Sequence, residues 1–263
     1  MSLSTDLVDY ILSFLQSDLV TLKTCAQSHP TLSKLSERYI YANVTLHDDL
    51  DTLDPLKLEG LRTSEFTQIL AKRPDIANHV RGLSVRVISA WDSGEFEEFE
   101  ATSSHLNSVA SLLPTLSGLT KLAIRGDYQS WLPFSWHTLP EAFHQAFLHF
   151  LHAQFMKDVF IYNAEFFPLS LLNNCRNVRA TLDSCEETRY DSEKSTEDML
   201  LSCPGTFEHL TIRHCSPTCL KNIIGWMQIH SLRSLKFKGE SRRSPTSSYR
   251  LFELIDELVS GLL

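Results

Sequence analysis

Between Leu3 and Leu15, apolar residues fall at Leu7, Val8, Ile11, Leu12 and Leu15. This is the i, i+1, i+4, i+5, i+8 stripe of one helical face. Ser4 or Thr5 is suited to cap the start, and Asp6 and Asp9 stand in the first turns, where the helix dipole favours negative charge. Ser17-Asp18 ends this helix and can cap a second, Leu19 to Ala26. Pro30 opens a third, Thr31 to Ile40, with Leu32, Leu35, Tyr39 and Ile40 on one side. Three short helices in about forty residues cannot bury this much apolar surface alone. The block therefore needs a partner, either the rest of the chain or another protein.

The period then changes. Tyr41 to Leu46 alternates and predicts a strand, His47 to Glu59 is an acidic connector with Pro55, and Thr63 to Lys72 predicts a helix with Phe66, Ile69 and Leu70 inward, ended by Pro74. From there one triplet recurs: apolar, two residues, apolar, one residue, apolar. It is read at Val80-Leu83-Val85, Leu119-Leu122-Ile124, Met156-Val159-Ile161, Cys175-Val178-Ala180, Phe207-Leu210-Ile212 and Leu232-Leu235-Phe237. At 43% hydrophobic content such a triplet arises by chance at roughly one position in twelve (0.43 cubed), so context carries the weight. Helix-like segments lie between the triplets, at Ser104 to Leu113, Pro140 to Leu151, Thr196 to Leu201 and Pro217 to Ile229. Strand, turn and helix repeated is the plan of a leucine-rich-repeat solenoid, in which each unit buries its apolar positions against its neighbours. Three stretches read as insertions: the acidic Ala90 to Glu100, the aromatic Asp127 to Leu139, and the Ser-rich Glu240 to Tyr249. A striped helix, Arg250 to Leu263, would cap the solenoid.

Taken in order, Leu3, Asp6, Leu7-Val8, Ile11-Leu12, Leu15 and Asp18-Leu19 resemble an F-box of the style common in fungal proteins. Ser4 stands where that family usually has Pro, and His29-Pro30 follows the Cys25 region, where it usually has Trp. The triplets resemble the irregular repeats that often follow a fungal F-box. The expected fold is α/β: a three-helix F-box-like block (residues 1–46), a connector and helix (47–79), and a leucine-rich-repeat-like solenoid with parallel strands, convex-side helices and a C-terminal helix (80–263). The resemblance implies the substrate-recognition subunit of an SCF-type cullin ubiquitin ligase. Its helices would dock on the Skp adaptor, which joins it to the cullin scaffold, and its repeats would hold a protein substrate. The residues assigned to the adaptor surface are Leu3, Leu7, Val8, Ile11, Leu12, Leu15, Leu19 and Leu22. Some of these must instead pack the helices together. An alternative is a repeat scaffold without ligase recruitment, in which the helices serve only as a cap.

Charge adds a second surface. The chain has a net charge of -8, which argues against nucleic-acid binding. Exposed strand positions nevertheless read as basic: Arg86, Arg125, Tyr162, Thr181, Arg213 and Lys238 follow the triplets, and Lys121, Arg179, His209 and Lys236 lie inside them. Strand side chains alternate, so these positions share the concave face. A basic strip there would suit an acidic or phosphorylated partner. The competing reading pairs each charge with a neighbouring Asp or Glu.

Catalytic chemistry has little support. No Gly-rich phosphate loop, GxSxG or HExxH occurs, so no catalytic residue and no cofactor is assigned. His214, Cys215 and Cys219 with Cys203 lack paired zinc-ligand spacing, and no metal site is assigned. Cys215 or Cys185 with a distant His is the residual enzyme reading. His144, His149 and His152 are expected on the solvent side of their helix, Glu97, Glu98 and Glu100 in a solvated loop, and Trp131 and Trp136 over the core. No apolar run of membrane-spanning length and no basic-flanked leader is present, and the six scattered Cys read as reduced thiols. The expected location is cytoplasmic, nuclear or both.

Overall fold

The computed structural model describes residues 4–47, 60–87, 96–126, 134–151, 153, 156–165, 167–168, 171, 179–183, 209–213 and 234–238. Three helices come first: α1 (Thr5–Ser13), α2 (Leu19–Ser28) and α3 (Pro30–Ile40). Each starts where the sequence provides a cap. Ser4 Oγ accepts from Leu7 N–H, Asp18 accepts from Thr21 N–H, and Pro30 occupies the first turn of α3 behind His29. The bond from Thr21 N–H holds the Asp18 carboxyl below its ordinary range. Leu12, Leu22 and Leu35 meet in a small core, with Val8, Leu15, Cys25, Leu32, Tyr39 and Ile40 packed around it. Tyr39 ties α3 to α1 by donating its hydroxyl to Asp9 Oδ1 at 3.0 Å. Burial, and then that bond, push the Tyr39 phenol above its ordinary pKa.

The rest is α/β with a parallel sheet. Its chain order is β1 (Asn43–His47), β2 (Leu61–Arg62), α4 (Thr63–Lys72), β3 (Gly82–Val87), α5 (Phe96–Leu112), β4 (Lys121–Gly126), β5 (Phe134–Ser135), α6 (Glu141–Leu151), β6 (Asp158–Tyr162), β7 (Ala164–Glu165), β8 (Arg179–Asp183), β9 (His209–Arg213) and β10 (Ser234–Lys238). The main sheet has the order β10-β9-β8-β6-β4-β3-β1-β2, and β5 pairs with β7 apart from it. Every pairing is parallel. Parallel neighbours need a crossover, and α4, α5 and α6 supply the first three. From β3 to β10 each new strand of the main sheet is laid beside the previous one, while β2 lies on the outer side of β1.

One face of the sheet carries the core. Val44, Leu83, Leu122, Val159, Ala180 and Leu210 align across the strands, and Leu46, Val85, Ile124, Ile161, Leu182 and Ile212 form a second row. Both rows join one buried cluster with Phe66 of α4, Leu106 and Val109 of α5, and Phe143 and Phe147 of α6. A backbone motif repeats at the strand entrances. The Ala42 carbonyl accepts from both Arg81 and Gly82 N–H, that of Arg81 from Thr120 and Lys121, and that of Thr120 from Lys157 and Asp158. Gly126 closes β4 where a Cβ would stand 2.7 Å from the Asn163 carbonyl, and Asn163 itself has φ 55°.

Several expectations change. The sheet starts at Asn43, inside the segment assigned to the helical block, and α4 lies under its core, ahead of the expected boundary at residue 80. The fourth triplet was expected at Cys175-Val178-Ala180, but Ala180 pairs with Val159 and Leu182 with Ile161. The true apolar pair is therefore Ala180-Leu182. A shift of two residues keeps every side chain on its own face, so alternation alone does not expose the error. Helix α5 begins at Phe96, so the expected loop at 90–100 is helical over its last five residues. Trp136 is buried against Phe147 and Phe167, as expected of a Trp over the core. His144 is not on the solvent side: it stacks on Trp136 and donates Nε2–H to the Trp136 carbonyl at 3.0 Å. His149 is exposed, and Phe143, Phe147, Phe150 and Leu151 point inward. The segments 196–201, 217–229, 240–249 and 250–263, with Leu3, Trp131, His152, Cys185, Cys203, His214, Cys215 and Cys219, lie outside the described residues. Among the described residues no helix is long and apolar enough to cross a membrane.

Two stability predictions follow from the helical core. Leu12 is only 2% exposed whereas Leu7 is 44% exposed. Leu12→Ala should cost about 2–4 kcal/mol and Leu7→Ala under about 1 kcal/mol, measured by urea unfolding. Ser36 is fully buried in α3 and its hydroxyl lacks a hydrogen-bond partner among the described residues. Ser36→Ala should stabilise by about 0.5–1 kcal/mol, through helix propensity and removal of an orphan polar group. A lower melting temperature for Ser36→Ala would show that the hydroxyl is satisfied.

Candidate functional site

Helix α1 has two apolar faces. Val8, Leu12 and Leu15 point to the helical core. Leu7, Tyr10, Ile11 and Phe14 lie on the other side at i, i+3, i+4, i+7 spacing and are exposed. The edge of Tyr10 meets Phe14 with ring centroids 4.8 Å apart. Leu19 and Val20, at the start of α2, extend the patch. Among the described residues, these six are the exposed large hydrophobics, and all fall between Leu7 and Val20. An exposed apolar cluster of this kind is the usual composition of a contact surface.

The structure apportions the residues assigned to the adaptor surface. Leu7, Ile11 and Leu19 are on the patch. Leu12 and Leu22 are buried between the helices and cannot meet a partner, which corrects their assignment; Val8 and Leu15 are half-buried against the same core. The reason is geometric: a stripe at i, i+1, i+4, i+5 spans two sides of a short helix, and only one of them faces α2 and α3. Tyr10, Phe14 and Val20 were missed, although the spacing of residues 7, 10, 11 and 14 was readable. Ser4 has φ −66° and ψ 147°, the backbone that Pro would impose, and it adds a cap bond that Pro could not make.

The second surface is the sheet face opposite the core. Its first row runs Gly82, Lys121, Asp158, Arg179, His209 and Ser234; its middle row Thr45, Ser84, Ala123, Phe160, Thr181, Thr211 and Lys236; its third row Arg86, Arg125, Tyr162, Asp183 and Arg213. Eight of the nine residues assigned to the strip fall on this face, and Lys238 pairs in register with Arg213. Thr181 moves to the middle row because of the two-residue correction, and Asp183 takes its place. Arg179 is neutralised, donating Nε–H and Nη2–H to the two oxygens of Asp158 at 2.6 and 3.0 Å. Here the paired-charge reading wins. Lys121, Arg125 and Lys236 are exposed, while Arg86, His209 and Arg213 are half-buried. The Arg125 guanidinium lies over the Phe160 ring, 5.4 Å from its centroid. Phe160 and Tyr162 are parallel within 5° at 6.3 Å.

One supporting residue was missed. His105 of α5 is buried, donates Nε2–H to the Arg86 carbonyl at 3.2 Å, and meets Thr63 Oγ1 through Nδ1 at 2.8 Å. It thus holds the end of β3 that presents Arg86. Its i, i+4, i+7 relation to Val109 and Leu112 put it on the inward face, and that periodicity was the available signal. Among the described residues no group of three His, Cys, Asp or Glu side chains could hold a metal.

No family model, curated protein or solved structure matches this chain.

Proposed function

We propose that the chain is the substrate-recognition subunit of an SCF-type cullin ubiquitin ligase. The α1–α2 patch would bind the Skp adaptor, which carries the cullin scaffold, and the open sheet face would bind a protein substrate. The observation that carries this reading is the outward apolar face of α1. In the alternative, where the helices only cap the repeats, α1 would bury that face on the first strand. Instead Leu7, Tyr10, Ile11 and Phe14 are exposed, and the contact with the sheet domain runs through α3, whose Glu37 pairs with Arg73 at 2.9 Å. The in-order match of the F-box-like residues supports the same reading, and Ser4 already holds the backbone of the usual Pro. Main-sheet strands laid down in chain order from β3 to β10, with one carbonyl motif at the entrances of β3, β4 and β6, support an irregular leucine-rich-repeat-like solenoid for the remainder.

Such a protein performs no bond chemistry. It raises the effective concentration of a substrate lysine near a charged conjugating enzyme. Its place of action is then the cytoplasm, the nucleus or both.

The test is a pull-down of the purified chain on a Skp adaptor. Ile11 is 47% exposed, so Ile11→Asp should leave the fold intact. Burying that carboxylate in an apolar interface should weaken adaptor binding by about a hundredfold or more. Undiminished capture of Ile11→Asp, with an unchanged near-UV spectrum, would overturn the proposal.

A further inference from the structure

We infer that the outward face of α1 and the start of α2 is also a self-association surface, on which a second copy of this chain docks about a two-fold axis. The inference goes beyond the receptor reading and does not depend on it. The charges beside the apolar face select the occupant. Between Ser4 and Ser28 the charged residues are Asp6, Asp9, Asp18 and Lys23. Two of these are engaged within the fold. Asp9 meets Arg38 at 3.3 Å and accepts from the Tyr39 hydroxyl at 3.0 Å. Asp18 caps α2, accepting from Thr21 N–H at 3.0 Å on one oxygen and from the Thr21 hydroxyl at 2.7 Å on the other. Asp6 and Lys23 are exposed and have no partner among the described residues.

These two charges stand at opposite ends of the face. Asp6 lies one helical turn before Tyr10 at the start of α1, and Lys23 lies one turn after Leu19 and Val20 on α2. Helices α1 and α2 each pack mainly on α3, so α2 does not fold back along α1 to bring the ends together. The order along the surface is therefore acid, apolar strip, base. A surface of that order matches its own copy after a half-turn. Asp6 of each copy then faces Lys23 of the other, the apolar strips meet, and the two α1 helices lie antiparallel with opposed dipoles. A strip with the same charge at both ends would repel its own copy. Size sets the strength. The six exposed side chains present about 80 Å² each, so the dimer covers about 1,000 Å² in total, the lower end of specific interfaces. The dimer is accordingly of micromolar affinity, and a partner that covers more of the face displaces it. In the receptor reading, and only there, that partner is the adaptor, and docking on the ligase dissolves the dimer.

The test is sedimentation equilibrium of the full chain from about 1 to 200 μM. The average mass should rise with concentration from 30.0 kDa towards twice that value. Lys23→Asp sets two like-charge pairs across the axis and should weaken the dimer about fivefold or more; it leaves the charge at the start of α1 untouched. Asp6→Lys should weaken it to a similar degree. The double variant Asp6→Lys, Lys23→Asp exchanges the two ends and should recover the affinity lost in either single variant, which damage to the helices would not allow. Ile11→Asp should stay monomeric throughout. A monomer at every concentration, growth beyond the dimer, or a double variant no tighter than Lys23→Asp at unchanged far-UV helicity would overturn the inference. Adaptor capture is a separate result. A chain that dimerises with this recovery but ignores the Skp adaptor keeps the inference and loses the receptor reading; a chain that captures the adaptor and never dimerises does the reverse.

Discussion

One carbonyl at each of three strand entrances, those of β3, β4 and β6, sets the geometry on which both faces of the sheet depend. Ala42, Arg81 and Thr120 each accept two successive N–H groups from the next strand. That shared acceptor fixes where each strand begins relative to its neighbour. With the starting points fixed, the period-two alternation of a strand sends Leu83, Leu122 and Val159 to the core and Gly82, Lys121 and Asp158 to the open face. A slip of one residue at any entrance would exchange the two sets and put Lys121 or Arg125 against Phe143 and Leu106. The cost of burying such charges makes this register exclusive. The open face is therefore a consequence of the core, which fixes its position and leaves its composition free.

The helical block obeys a different constraint. Nine residues of α1 supply an inward face to a core of only a few leucines and, on the opposite side, a second apolar face that this core cannot use. Leaving Leu7, Tyr10, Ile11 and Phe14 in water has no benefit to the isolated chain, since burial of such side chains is worth about 1.5–3 kcal/mol each. Among the described residues, the neighbouring elements offer them no cover. Tyr39, Arg38 and Asp9 instead lock α1 to α3 in the orientation that turns this face outward.

Periodicity made much of this legible. The three helices, α4, α6 and most strands stand where the apolar spacing put them, because 3.6-residue and two-residue periods differ enough to be told apart in short windows. What escaped has a physical cause in each case. The Cys175-Val178-Ala180 triplet failed because alternation is blind to a shift of two residues, and only pairing with β6 fixes the register. The start of α5 escaped because Phe96 to Glu100 is acidic, which resembles a loop in composition although nothing in it breaks a helix. The division of α1 into two faces depends on where α2 and α3 lie, which is tertiary information. The pairing of Arg179 with Asp158 joins residues of different strands, and β8 was the strand read out of register.

In the proposed reading, the spacing of the two surfaces is set by the link between them, because effective concentration depends on the spread of distances that a linker allows. That link is two residues long. Helix α3 ends at Ile40 and β1 begins at Asn43. Tyr41 N–H is held by the Glu37 carbonyl at 2.9 Å, Ala42 N–H by that of Tyr39 at 3.3 Å, and the Ala42 carbonyl is the first of the shared acceptors that start the sheet. The same two residues thus close the helix and open the strand ladder, leaving little torsional freedom between them. The Arg73 pair with Glu37 and Asp75 adds a brace across the joint, and those two carboxylates hold the Arg73 guanidinium above its ordinary pKa. Exposed ion pairs of this kind contribute little to stability. The stiffness comes from the backbone, so a charge substitution at Arg73 would leave the joint in place, while a flexible insertion between Ile40 and Asn43 would release it. In the proposed reading that insertion keeps both contacts and loses the fixed spacing between them.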